Sequence, residues 1–128
     1  MKHKQEWTKL VNIGERNGLI EEQIILLIAL RELEDGIKGN EFNLKIAQTT
    51  SLEIQAENMS KLIKENQKYY NYYITSGNNK YLDFSEYFLQ YCNIIDYSST
   101  KTKADIKKLK DIITNVTKEL DYGLNITN

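Results

Sequence analysis

The sequence has no proline, one cysteine, one histidine and only six glycines, and each shortage removes a class of answer. Without proline, and with glycine sparse, the commonest helix breakers are missing from most of the chain, which favours helix over strand-rich folds. The lone cysteine, Cys92, excludes an internal disulfide and suits a reducing compartment; its simplest role is a small buried apolar side chain. One histidine and one cysteine cannot build a zinc site of ordinary composition, and no Asp/Asn-rich loop has calcium-binding spacing, so no metal or other cofactor is expected. His3 reads as part of a mobile tail, which leaves a Ser-His-Asp or Cys-His pair without its base. Gly36-x-x-Gly39 is too short for a phosphate-binding loop and is not followed by Lys-Ser or Lys-Thr.

Net charge is also lacking. Seventeen basic and 18 acidic residues leave a formal charge of −1, so no global field gathers nucleic acid, and no nucleic-acid partner is expected. The longest apolar run, Ile24 to Leu30, falls far short of the ~20 residues that cross a bilayer, so stable membrane insertion is not expected either. Met1 to Glu6 carries positive charges with no hydrophobic segment behind them, which does not read as a secretory signal.

What is present is enough for a core. A chain of 128 residues with 41% hydrophobic content supports a single domain over 1–128, expected to be monomeric and mainly α, with at most a short β segment near 41–46. Trp7, Leu10 and Val11 have helical spacing and predict a short helix from about Lys4 to Ile13, interrupted by Gly14, before a turn at Asn17-Gly18. A central helix from about Leu19 to Asp35 opens on Glu21 and Glu22, acids that suit the positive end of its dipole. Its stretch Ile24 to Leu30 is apolar on every face and must be surrounded by other elements.

After Gly36 and Gly39, the alternation Glu41 to Ile46 fits a short strand or extended segment. Thr50-Ser51-Leu52-Glu53 fits a capping box, with Thr50 as N-cap and Glu53 at N3, opening a helix to about Ile74. Ser76 to Asn79 closes that helix, and Asp83 to Glu86 starts another that carries Phe84, Tyr87, Phe88 and Tyr91. Ser98 to Lys103 is polar and reads as a loop. A last helix from about Ala104 to Asp121 turns Ile106, Leu109, Ile112, Ile113, Val116 and Leu120 inward, with Lys103, Lys107, Lys108 and Lys110 on its solvated face.

Glu34 stands out for chemistry. It follows Leu30 and Leu27 by one and two helical turns, so it leaves the helix on a face that is otherwise buried. Apolar walls disfavour a charged carboxylate, raise its pKa and prepare it to donate a proton near neutral pH, as a glycosidase general acid must. The plainer alternative is a residue that only closes the helix end.

The run Ala29-Leu30-Arg31-Glu32-Leu33-Glu34-Asp35-Gly36-Ile37-Lys38-Gly39-Asn40-Glu41-Phe42-Asn43-Leu44 resembles a segment of phage and prophage lysozyme-like proteins, whose pattern is approximately A-I-R-x-x-E-N-G-x-x-G-x-E-F-G-V. Here Asp35 stands for the Asn, and Asn43-Leu44 for the Gly-Val. The downstream order is similar as well: Gln55-Ala56 opening a long helix, Asn66 before the aromatics to Tyr70, the aromatic segment Tyr81 to Tyr91, and Asn115-Val116 in the final helix. What the resemblance implies is a lysozyme-like helical domain that cuts peptidoglycan glycan strands, as a muramidase or a lytic transglycosylase, with Glu34 protonating the glycosidic oxygen. Asp35 and Glu41 are the candidates for a second catalytic carboxylate, although a loop acid accepting backbone N–H bonds is the commoner role for such residues. It also implies synthesis in the cytoplasm and action at the cell wall after release, or as part of a phage-like particle.

Four of the nine tyrosines, Tyr69, Tyr70, Tyr72 and Tyr73, are nearly contiguous, and successive helical residues point in different directions, so they cannot all be core. Phe42, Tyr69, Tyr70 and Tyr73 are the expected substrate contacts, since aromatic faces stack on sugars. The rival from another class is a non-catalytic helical phage structural or interaction protein that keeps this fold and uses the tyrosine surface for a partner.

Overall fold

An apolar helix with no polar face can persist only where neighbours cover it, and the fold is arranged around that requirement. The structure is a computed structural model that describes residues 1–43, 50–70 and 99–123; the side chains of 67–70, 99–104, 106 and 121–123 lie outside the description. The chain is mainly helical, and no strand occurs among the described residues. A 3-10 turn at Lys4–Glu6 leads into α1 (Trp7–Arg16), followed by α2 (Glu21–Glu34), α3 (Leu52–Tyr70) and α4 (Ser99–Gly123). α2 packs against α1, α3 and α4, and every residue from Gln23 to Leu33 is buried. Phe42 and the inward residues of all four helices merge into one cluster, in which Leu27, Met59, Ile63 and Ile113 are almost completely enclosed.

The helix ends show why these segments start and stop where they do. Ile20, the residue before α2, has no polar side chain to offer; instead Gln23 Oε1 accepts the Ile20 N–H at 2.9 Å, which is half of a capping box. α1 ends in a Schellman arrangement, with the Gly18 N–H on Glu15 O and the Leu19 N–H on Gly14 O. Gly18 supplies the left-handed residue this needs, at φ 79°. Lys64 Nζ then donates to Asn17 O at 3.0 Å, and Arg16 pairs with Glu53, so α3 is tied to the end of α1.

Several expected boundaries move. Gly14 does not interrupt α1, which continues to Arg16. A Cβ at Gly14 would lie 3.0 Å from Ile24 Cγ1 and 3.4 Å from Leu19 Cδ1, so the glycine serves close approach of α1 to α2. Ser51, not Thr50, caps α3: its Oγ accepts the Ile54 N–H at 3.2 Å, while Thr50 Oγ1 takes a hydrogen bond from Gln55 and Glu53 turns to Arg16.

Ser99 to Lys103, expected as loop, belongs to α4, because nothing in that polar stretch breaks a helix. Lys107, Lys108 and Lys110 are exposed, as their spacing predicts. Glu41 to Asn43 is turn rather than strand, with the Asn43 N–H on Asn40 O, and 44–46 lie outside the described residues. So do the ends expected at Ile74 and Ser76 to Asn79, the helix of Phe84 to Tyr91, and Cys92.

Candidate functional site

α2 ends at Glu34, and the turn that follows is fastened on every side. Asp35 adopts the left-handed conformation at φ 47°, which short polar side chains tolerate, and its N–H closes the last helical bond to Arg31 O. The carbonyl of Glu34 itself would otherwise be one of the unpaired acceptors of a helix end; Asn43 Nδ2 donates to it at 2.7 Å. Glu34 is half-buried, one turn beyond the enclosed Leu30.

Arg31 organises the loop from below. Only 3% exposed, it donates from Nε and Nη2 to the two carboxylate oxygens of Glu6, at 2.7 and 3.2 Å. Its Nη1 donates to Gly36 O at 3.1 Å and Glu41 O at 3.2 Å. The planar guanidinium thus satisfies a carboxylate on one edge and two loop carbonyls on another, a task an ammonium could not perform with one geometry. The Gly36 N–H also donates to Glu41 O, closing the loop on itself. A Cβ at Gly36 would overlap the Asn40 carbonyl oxygen, which is why glycine stands there. On the far side Gly39 O accepts from the Thr50 N–H and from Gln55 Nε2, anchoring the loop to the start of α3.

The expected acids therefore separate by environment. Glu41 is buried and its Oε1 accepts the Gly39 N–H at 3.1 Å, the arrangement of a loop acid. Asp35 is partly exposed and receives His3 Nε2 at 2.6 Å and Lys2 Nζ at 3.2 Å. The His3 hydrogen bond, with that of Lys2 behind it, holds the Asp35 carboxyl below its ordinary value. Phe42, expected to touch substrate, is completely enclosed in the core, so its ring is a packing group under the loop and not a face offered to a ligand. Tyr69 and Tyr70 end α3 with their side chains outside the description, and Tyr73 lies outside the described residues altogether.

Sequence reasoning missed the segment before α1. His3 does not sit in a mobile tail: it is buried, and its backbone N–H reaches both carboxylate oxygens of Glu32 at 3.1 Å. The same carboxylate accepts Trp7 Nε1–H at 3.0 Å, so a buried indole N–H and a buried backbone donor share one buried acceptor. Both His3 ring nitrogens face carboxylates, Asp35 at 2.6 Å from Nε2 and Glu6 at 3.9 Å from Nδ1. The signal that was available is the pair Arg31-Glu32 on a helix buried all round, since buried charges demand partners. Among the described residues no group of His, Cys, Asp and Glu has the disposition of a metal site.

No protein family, characterised protein or solved structure shows significant similarity to this chain.

Proposed function

We propose that the protein cleaves peptidoglycan glycan strands, as a muramidase or lytic transglycosylase, with Glu34 as the general acid. The single observation that carries this reading is the setting of Glu34: a half-buried glutamate at the last position of a buried apolar helix, on backbone held by Asn43, beside a loop that Arg31 fixes in place. A proton donor needs partial shielding and a backbone that does not shift beneath it, because misplacement by about 1 Å can cost on the order of 100-fold in rate. Glu41 and Asp35 act in this reading as structural acids of the loop, given the N–H, imidazole and ammonium groups they already serve. A mechanism resting on one carboxyl then fits the transglycosylase branch, in which the substrate's own 6-hydroxyl replaces a water held by a second acid.

The test is digestion of purified sacculi. Wild-type protein should release muropeptides, Glu34→Gln should release none, and the thermal midpoints of the two should agree within about 2 °C. Mass spectrometry of the fragments separates anhydro from reducing ends. Failure of the wild type on several peptidoglycan types removes the glycosidase reading and leaves the helical interaction protein in its place.

A further inference from the structure

The residues from Lys2 to Trp7 converge on the last turn of α2. Glu6 clasps the Arg31 guanidinium, whose remaining edge holds Gly36 and Glu41. Beside it, Glu32 receives the His3 N–H and Trp7 Nε1–H, while Asp35 receives His3 Nε2 and Lys2 Nζ. Lys4 pairs with Glu119, which pins the same segment to α4. Residues 31, 32 and 35 are thus gripped by residues 2, 3, 6 and 7, more than twenty positions away in sequence, and Glu34 lies between the gripped positions. Side chains this distant in the chain contribute nothing to helix propensity; what they fix is the direction in which the helix ends and the loop departs.

We infer that Lys2–Trp7 is a strap that sets the conformation of the turn from Glu34 to Asn43, with His3 and Glu6 as positioning residues for the Glu34 carboxyl. The kinetic part of this inference rests on the glycan-cleavage reading; the structural part stands apart from it. Neither side chain touches the reacting atoms. His3 acts through Asp35, and Glu6 through Arg31, Gly36 and Glu41.

Amide hydrogen exchange on the full chain reads the strap directly. In His3→Ala and Glu6→Gln, the amides of Gly36, Asn40 and Asn43, each donating within the loop, should exchange about tenfold faster than in wild type, while those of Leu27 and Ile63 stay within about twofold. His3→Gln, whose amide can still donate to Asp35, should recover most of the protection, and Arg16→Ala, which opens only the exposed pair with Glu53, should leave the loop unchanged. If glycan is cleaved, His3→Ala should lower kcat by about tenfold or more with KM within about twofold, and His3→Gln should restore it. Loop amides that keep wild-type rates in both variants would overturn the strap, and so would acceleration that is uniform across the chain, since that reports global destabilisation. Loosened loop amides in a protein that cleaves no glycan sink the catalytic reading and keep the strap. Cleavage that persists at full kcat in His3→Ala, with an unmoved loop, does the reverse.

Discussion

At the scale of single residues, the end of α2 is decided by which donors each carboxylate faces. Glu32 is buried and serves both the His3 N–H and the Trp7 indole; removing it strands two donors where water cannot replace their acceptor. Glu32→Ala should cost about 2–3 kcal/mol, read from the urea midpoint at constant slope. Gly36→Ala is the complementary test, because the new methyl would meet backbone rather than a yielding side chain, with the Glu41 carbonyl carbon at 2.8 Å. It should cost about 1–3 kcal/mol by calorimetry and loosen the loop as well. The sequence marked Glu34 through its place on a buried face, and the structure puts it half-buried at the helix end. It could not mark His3 or Glu6, because their importance lies in groups they meet only after α1 folds back on α2.

At the scale of elements, hydrophobic period carried the reading of α1 and α4, and an unbroken apolar run that of α2; Leu10, Ile25, Leu30, Ile113 and Val116 are all buried. Boundaries followed less well, for identifiable reasons. Thr50 and Ser51 are both sound caps by type, and the choice between them fell to Gln55, which occupies the Thr50 hydroxyl. Gly14 looked like a break, yet a glycine inside a helix can be kept for a neighbour's sake, and Ile24 is that neighbour. The dependence on α2 is open to measurement. Leu27, with no exposed surface at the middle of that helix, should cost about 2–5 kcal/mol when truncated to alanine, in denaturant melts. A loss under about 1 kcal/mol would mean that the surrounding helices collapse onto the space.

At the scale of the molecule, charge acts locally rather than globally. The Asp35 carboxyl is held below its ordinary value first by the His3 hydrogen bond, and that of Glu119 by the Lys4 hydrogen bond. A carboxyl depressed on folding binds fewer protons folded than unfolded, so stability rises with pH across the window between the two values. The contribution is complete above the unfolded values of 3.8 for Asp and 4.5 for Glu and disappears as pH falls through the folded ones. Asp35→Asn should therefore lower the thermal midpoint slightly at pH 7, where the contribution is present, and flatten its decline below pH 4, and salt should weaken the exposed Lys4 to Glu119 pair. Taken alone, the sequence determined that the protein is mainly helical and that a helix apolar on all faces is its centre, because period and the absence of breakers are properties of adjacent residues. The tertiary structure alone decided how the end of that helix is held. Glu6, His3 and Trp7 find Arg31, Glu32 and Asp35 across a long stretch of chain, and buried charges and donors choose partners by position in space.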